Sequence, residues 1–176
     1  MKKLLLAVDL LNDFVDGALG SPAAQAMLPA AVEKLLAAER NGDMIAFLRD
    51  THEENYLQTL EGRHLPVPHG IRGTHGWQVA DAVAAAMDIS RYPQIEKNSF
   101  GAAALVEFLW ELPELEEVEL IGICTGICVI NNALLIKTFF PQLPVSVDAA
   151  CCACVSPETH RAALEIMALC HVEIKN

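Results

Sequence analysis

Residues 119–129, ELIGICTGICV, predict a buried strand that turns sharply into a helix. The apolar strand runs into Gly122, a short turn follows, and an apolar helix extends over about residues 129–139. Cys128 therefore lies where a helix begins. Unpaired backbone N–H groups and the positive end of the helix dipole favour a thiolate there, and the same N–H groups can stabilise an oxyanion. The alternative for Cys128 is a small apolar residue packed under the helix.

The remainder of the chain alternates short apolar segments with helical patterns. The predicted strands are residues 4–8, 44–48, 94–96, 118–121, 145–147 and 172–174, and the predicted helices are 29–40, 77–87, 99–109, 127–139 and one that opens at Ser156-Pro157. This alternation predicts a single α/β domain, residues 1–176, with a three-layer, doubly wound, mostly parallel six-stranded sheet. In such a sheet the ligand site lies beyond the carboxyl ends of the strands, at the topological switch point.

Composition excludes several classes of partner. A net charge of −11 with only 12 Lys and Arg argues against nucleic acid and anionic membranes, and leaves a small molecule as the expected partner. Asp9 interrupts the first apolar run before a signal peptide or membrane span can form. All six cysteines follow residue 123, which indicates a reduced, cytoplasmic protein, and the cysteines within 151–154 are interpreted as packing residues. Apolar helices such as 127–139 suit either the core or a subunit interface, and we expect a homo-oligomer.

Polar residues follow the predicted strands at one edge of the sheet. They are Asp9, Asp50, Lys97, Cys128 and Asp148. A buried Asp9 with a raised pKa can take the proton of the Cys128 thiol, and Lys97 can hold Asp9 in place. Taken singly, Asp9 also suits a strand-end cap and Lys97 an exposed loop cation. Their convergence on one edge favours a reactive centre.

The segment over residues 50–76 is long, polar and rich in His, Gly and Pro, and a loop of this length is usually functional. Asp50 and His52 are separated by one residue, so both side chains point to the same side of an extended segment. Glu61, His64 and His69 follow. This mixture of oxygen and imidazole donors suits zinc, manganese or iron(II). A solvated polar loop is the alternative.

Three segments resemble the signatures of isochorismatase-like cysteine hydrolases, in order and spacing along the whole chain. They are residues 8–14, VDLLNDF, the segment around Lys97, and residues 122–128, GICTGIC. The resemblance implies the isochorismatase-like hydrolase fold and a catalytic triad of Asp9, Lys97 and Cys128. It further implies a cis peptide bond before Cys124, with an oxyanion hole formed by the backbone N–H groups of Cys124 and Cys128.

The polar loop is similar to the metal loop of the nicotinamidase branch of that family. The similar segments are residues 50–55, DTHEEN, then Glu61, then residues 65–74, LPVPHGIRGT. The resemblance implies a divalent metal, most simply zinc, with manganese or iron as alternatives. Its ligands would be Asp50, His52 and His69, with Glu61 as the fourth and His64 as a competitor for that place.

The resemblance implies a nicotinamidase, which hydrolyses nicotinamide to nicotinate and ammonia through a thioester on Cys128, in NAD salvage. The substrate ring is then expected between Phe14 and Phe100, with Leu65 close by. Two alternatives stay open. One is another isochorismatase-like cysteine hydrolase that acts on a small amide or carbamoyl compound. The other is a non-catalytic binding module of the same fold, in which the thiol is unreactive.

Overall fold

Six parallel strands form one sheet in this computed structural model, which describes residues 2–176. In chain order they are β1 (Lys3–Val8), β2 (Met44–Asp50), β3 (Gln94–Lys97), β4 (Glu117–Ile123), β5 (Val145–Ala153) and β6 (Glu173–Lys175). Their order across the sheet is β3-β2-β1-β4-β5-β6. The strand order changes direction between β1 and β4, so the carboxyl ends of these two neighbours flank the switch point.

Helices cover both faces of this sheet. They are α1 (Asn12–Val15), α2 (Pro22–Asn41), α3 (Leu60–His64), α4 (Asp81–Ala86), α5 (Ala103–Trp110), α6 (Ile130–Phe139) and α7 (Pro157–Leu169). In β1, Leu4, Leu6 and Val8 pack into one hydrophobic core, with α5, α6 and α7, while Leu5 and Ala7 pack into the other, with α2 and α4. The predicted three-layer α/β fold is therefore confirmed. None of the helices in residues 2–176 is both long enough and apolar enough to cross a membrane.

The helix predicted to begin at residue 29 begins seven residues earlier. Ser21 caps it by accepting a hydrogen bond from the N–H of Ala24 at 3.1 Å, and Pro22 occupies the first helical position. Pro29 lies inside α2 and does not start it. The helix passes through Pro29 because its buried apolar face continues on both sides, and tertiary packing outweighs the lost backbone hydrogen bond.

Three other predictions of local structure were wrong. The polar segment 50–76 contains a 3₁₀ turn, Tyr56–Gln58, and the short helix α3. The helix predicted over residues 77–87 is only the six-residue α4. The helix predicted over residues 99–109 begins only after Ala102, and the hydroxyl of Ser99 donates to the carbonyl of Gly101.

Strands β1 and β4 approach through bare backbone near their carboxyl ends. Gly122 has φ of 125°, which favours glycine, and an added Cβ would lie 1.9 Å from the carbonyl oxygen of Val8. A side chain at this position would push the strands apart. Gly122 therefore sets the spacing of the two strand ends on which the site is built.

Candidate active site

Asp9 follows β1 and is turned sideways toward β2. Its φ of 50° lies in the left-handed region, which Asp tolerates better than most residues. Its N–H donates to the carbonyl of Leu48 at 2.8 Å, and its Oδ1 accepts the backbone N–H of Asp50 at 2.7 Å. These bonds fix a fully buried carboxylate at the switch point.

Lys97, the last residue of β3, connects the groups that the sequence places at this edge. Its Nζ lies 2.9 Å from Asp9 Oδ2, 3.0 Å from Asp50 Oδ1 and 3.4 Å from Cys128 Sγ. The Lys97 side chain is 1% exposed, so the ion pairs are shielded from water. The structure thus brings Asp9, Lys97 and Cys128 into one buried centre.

The segment between β4 and α6, which carries Cys128, differs from the predicted direct passage from strand to helix. The Ile123–Cys124 peptide bond is cis, as the resemblance implies. A π-helical turn, Thr125–Val129, comes next and leads into α6. The N–H of Val129 donates to the carbonyl of Cys124 at 3.1 Å. Cys128 therefore lies in a π turn, a conformation that is frequent at functional sites, and not at the first residue of an α-helix.

The electrostatics of the centre keep the proton on sulfur. Burial, reinforced by the Asp9 carboxylate and opposed by Lys97, raises the pKa of the Cys128 thiol well above its usual value. The thiolate expected from the helix dipole is thus not favoured, because burial and, after it, the Asp9 carboxylate raise the pKa of this thiol. Burial also raises the pKa of Asp9, although Lys97 opposes this, so Asp9 is a stronger base than an ordinary carboxylate. For Asp50 burial is outweighed by hydrogen bonds from imidazoles and by Lys97, and its pKa lies below its ordinary value.

Side chains that follow β5 hold the π-helical turn, Thr125–Val129, from behind. The Thr125 hydroxyl and Nδ1 of His160 are hydrogen-bonded at 2.8 Å. The sulfur of Cys154 accepts hydrogen bonds from the N–H of Gly126 and the hydroxyl of Thr159, both at 3.3 Å. Cys154 is buried as expected, but it also accepts these two bonds. No pattern in the sequence links residues 125–126 to residues 154–160.

Four side chains from the polar loop and β2 form a compact donor group. They are Asp50, His52, Glu61 and His69, whose donor atoms all lie within 4.8 Å of one another. Asp50 Oδ2 lies 3.1 Å from Nε2 of His52 and 3.4 Å from Nε2 of His69. Glu61 Oε1 lies 3.9 Å and 3.6 Å from the same two nitrogens. Tetrahedral zinc with bonds of ~2.0 Å requires ligand atoms roughly 3.3 Å apart, so the group fits such an ion.

Neighbouring groups prepare the two imidazoles for a metal. Nδ1 of His69 donates to the carbonyl of Val67 at 2.8 Å, so Nε2 is the nitrogen that faces Asp50 and Glu61 and that can bind a metal once it gives up its proton. The buried ring of Tyr56 lies edge-on to His52 and His69, with centroids 4.8 Å and 4.9 Å away. Its hydroxyl donates to the carbonyl of Leu65 at 2.8 Å. Tyr56 was not predicted, since a lone aromatic residue in a polar loop has no distinguishing pattern.

The geometry separates the two competitors for the fourth ligand position. Glu61 belongs to the donor group, whereas Nδ1 of His64 donates to the carbonyl of Leu60 at 2.9 Å and its side chain is exposed.

Asp13, which lies in α1 after β1, also holds the polar loop in place. Asp13 Oδ2 accepts the N–H of Gly70 at 2.9 Å, next to a donor residue.

Asp148 does not join this edge. It lies inside β5, where the pairing with β4 shifts register, and its carboxylate bonds to Lys34 of α2. The strand predicted to end at residue 147 continues to Ala153. The prediction that Asp148 lies at the carboxyl end of this strand is therefore wrong.

A cleft of about 1070 Å³ opens over the site. Among the described residues that line it are Lys97, the donor residues His52 and Glu61, and the apolar Leu65 and Phe100. Phe14 is not one of them. Its buried ring packs edge-on against His69, 5.4 Å between centroids, and supports a donor residue from behind.

The parallel sheet and the side chains at its switch point define a hydrolase with a buried cysteine, aspartate and lysine beside a metal-binding group. The Isochorismatase domain matches residues 3–175. A protein of Bacillus subtilis (strain 168), described as an uncharacterized isochorismatase family protein, PncA, is 32% identical over 143 residues, 76% of this chain and 78% of that protein. The chain belongs to the isochorismatase family.

Solved structures agree with this assignment. The nicotinamidase/pyrazinamidase PncA from Bacillus subtilis superposes with a TM-score of 0.89 at 26% identity, over 100% of both chains. The pyrazinamidase of Pyrococcus horikoshii in complex with zinc has a TM-score of 0.83 at 23% identity, over 99% of this chain and 98% of that chain, and at this identity it shows the fold alone. Family and neighbours together indicate an amidohydrolase.

Proposed function

We propose that this amidohydrolase is a nicotinamidase, which converts nicotinamide to nicotinate and ammonia. The observation that carries the proposal is that one cleft is lined by Lys97 of the buried centre and by His52 and Glu61 of the donor group, with apolar residues at its wall. The Bacillus neighbour described as a nicotinamidase/pyrazinamidase supports the same substrate. A neutral aromatic amide suits this combination of polar floor and apolar wall.

The first half of the reaction forms a thioester. Asp9 accepts the thiol proton of Cys128, and the sulfur attacks the carboxamide carbon. The backbone N–H groups of Cys124 and Cys128 donate to the developing oxyanion. Lys97 stabilises the negative charge as it moves from carboxylate to sulfur, because its ammonium contacts both groups. Asp9 then gives its proton to the leaving nitrogen, and ammonia departs.

The second half releases the acid. Asp9 takes a proton from a water molecule, whose oxygen attacks the thioester carbon. The C–S bond breaks, the proton returns from Asp9 to the sulfur of Cys128, and nicotinate leaves. The buried position of Asp9 keeps its pKa raised and suits it to accept and return this proton in both halves.

A divalent ion held by Asp50, His52, Glu61 and His69 would supply a Lewis-acidic centre for a pyridine nitrogen and for water. Zinc is the simplest choice, with manganese or iron(II) as alternatives, and the zinc complex of the Pyrococcus pyrazinamidase supports it.

Residues of the cleft wall position the ring. Leu65 and Phe100 line the cleft and are the proposed contacts. Phe14 stays a predicted ring contact, with less direct support, because its ring packs on His69.

Ammonia release from nicotinamide tests the proposal. We expect release by metal-loaded protein, loss after chelation, and recovery on reloading with zinc. Failure of folded, metal-loaded protein to release ammonia from nicotinamide would overturn the substrate assignment. Release from a carbamoyl compound would then indicate another cysteine hydrolase of the family. Absence of ammonia release from both kinds of compound by folded, metal-loaded protein would indicate a binding module.

We also propose that the nicotinate enters NAD salvage in the cytoplasm, and that the protein is a homo-oligomer. Supporting the location, all six cysteines lie in one part of the chain and are free thiols. The role in NAD salvage is tested by comparing the growth of cells with and without this protein when nicotinamide is the only pyridine source. Sedimentation velocity measures the second.

A further inference from the structure

Two consecutive asparagines in α6 bond to the carbonyls of the π-helical turn. Nδ2 of Asn131 donates to the carbonyl of Ile127, and Nδ2 of Asn132 donates to that of Cys128, both at 2.8 Å. Each bond reaches back four residues, a pattern in which a side chain competes with the helix backbone. The two residues are alike in type and local bonding, but Asn131 is exposed and Asn132 is fully buried.

Asn132 makes two further hydrogen bonds that Asn131 lacks. Its second Nδ2 hydrogen goes to the carbonyl of Phe100 at 2.9 Å, and its Oδ1 accepts the N–H of Ala102 at 3.0 Å. Both N–H donors and one acceptor site of the amide are therefore used. The buried side chain of Asn132 therefore connects the π-helical turn, which contains Cys128, to the segment that carries Phe100 of the cleft wall.

Few other side-chain hydrogen bonds hold this segment, residues 99–102, and Ala102 also packs in the hydrophobic core. Phe100 is 47% exposed, and the Ser99 hydroxyl bonds only within the segment, to the carbonyl of Gly101. Ala102, which precedes α5, has no side-chain cap to offer, so the bond to Oδ1 of Asn132 fixes the start of that helix.

We propose that Asn132 is a positioning residue, which sets the distance between the Phe100 wall and the sulfur of Cys128, and thereby the width of the slot for the substrate ring. This inference rests on the proposed function. Without Asn132 the wall moves relative to the sulfur, so ring-bearing amides lose more than amides without a ring. A merely structural role would reduce the folded fraction and lower the activity toward all amides equally.

The kinetic test compares Asn132→Ser with Asn131→Ser. A serine hydroxyl can still donate to the carbonyl four residues back, so both variants keep that hydrogen bond. Only Asn132→Ser loses the two hydrogen bonds to Phe100 and Ala102. We expect Asn132→Ser to raise KM for nicotinamide about tenfold relative to KM for propionamide, since two buried hydrogen bonds are lost. Asn131→Ser should leave this ratio within about twofold. Asn132→Ala and Asn132→Thr provide further variants if the serine variant does not fold.

Alkylation of Cys128 tests the same geometry without turnover. The rates for iodoacetamide and N-phenyl-2-iodoacetamide are followed at Cys128 by peptide mass spectrometry. In the Asn132 variants we expect the alkylation rate of the aromatic reagent to fall about tenfold more than that of the small reagent, because the same two hydrogen bonds are lost. Equal losses for both reagents, or equal effects of the Asn131 variant, would overturn the inference. If wild-type protein leaves nicotinamide intact while the alkylation ratio still shifts, the proposed function fails and the role of Asn132 stands.

Discussion

Two clusters of charged side chains lie on this sheet, and they differ in how their charges balance. The Lys97 cluster, at the carboxyl ends of the strands, consists of Asp9, Asp50, Lys97 and Cys128. The Lys34 cluster lies nearer the amino ends of β1 and β4. It consists of Lys3, Lys34, Glu117, Glu119, Asp148 and Lys175. Each cluster contains an acidic side chain that is at most 1% exposed.

In the Lys34 cluster three ammonium groups face three carboxylates. The pKa of each of its three carboxyl groups lies below the ordinary value, because hydrogen bonds and charges from the lysines outweigh burial. In the Lys97 cluster a single ammonium serves two carboxylates and a thiol, and the pKa of Asp9 is raised. In the Lys34 cluster the lysines outweigh burial, whereas in the Lys97 cluster burial outweighs the single ammonium at Asp9 and leaves that carboxylate able to accept a proton.

Replacing the thiol has the largest expected effect. Cys128→Ala should lower amide hydrolysis by at least about 10⁴-fold, because the nucleophile is lost, and should leave folding and metal content intact. Ammonia release, circular dichroism and metal analysis measure these. Cys170→Ala is the matched control, since Cys170 is exposed and far along the chain at the end of α7. Hydrolysis near the wild-type rate in Cys128→Ala would contradict the mechanism.

Removal of the single ammonium is the next largest change. Lys97→Met leaves the buried Asp9 carboxylate without an ion pair, whereas Asp50 keeps its imidazole partners, and should cost about 3–5 kcal/mol of unfolding free energy as well as activity. Urea denaturation of metal-free protein measures the stability. A loss below that of the corresponding change at Lys34 would show that the two clusters do not differ in the way their charge balance implies.

Variants at Glu61 and His64 test which of the two residues belongs to the donor group beside the Lys97 cluster. Glu61→Gln should weaken zinc binding by roughly 10–100-fold, because a charged donor becomes a weaker one. His64→Gln serves as the control and should leave zinc affinity unchanged. Competition with a chromophoric chelator measures both affinities. A larger effect from His64→Gln would exchange their assignments.

Lys34→Met should cost only about 1 kcal/mol, because two lysines remain beside Glu119 and the lost side chain is partly exposed. Amide hydrolysis should stay within about twofold of wild type. Urea denaturation and ammonia release test this pair of expectations. A large loss of activity would show that the Lys34 cluster is coupled to the centre.

The smallest expected effect is on pH dependence. Because the folded-state pKa values of Glu119 and Asp148 are lowered, their stabilisation is complete above the ordinary values of 4.5 and 3.8 and is lost as pH falls through the folded-state values. Lys34→Met removes part of this lowering. Wild-type protein should therefore lose more stability than the variant between about pH 6 and about pH 3.5, by under ~1 kcal/mol. Urea denaturation with chelator present measures it, and an equal loss in both proteins would refute it.

The convergence of the strand-end residues is predictable from sequence because parallel strands deliver their carboxyl ends to one edge. Asp9 and Asp50 each come after a short apolar run, and Lys97 ends the short strand β3, so their proximity needs only the correct strand order. The donor group needs one more step, since Asp50 and His52 share a side of the chain by their spacing. Asp148 shows where the reasoning fails, because a register shift inside β5 extends the strand past it.

What the sequence does not reveal is the set of contacts made between separate elements. Asn132, Tyr56 and His160 each support a site residue across the fold, and no local period or composition marks them. The raised pKa of Cys128 belongs to the same category. It depends on burial and on a carboxylate 119 positions earlier in the chain, neither of which a helix N-terminus encodes.

The bare backbone at Gly122 has a consequence for the two reacting groups. Because β1 and β4 meet through backbone atoms there, any added side chain changes the separation between the strand that leads to Asp9 and the strand that leads to Cys128. A substitution at Gly122 would therefore move the two reacting groups relative to each other, whereas a change in the loops around the cleft leaves their separation unaltered.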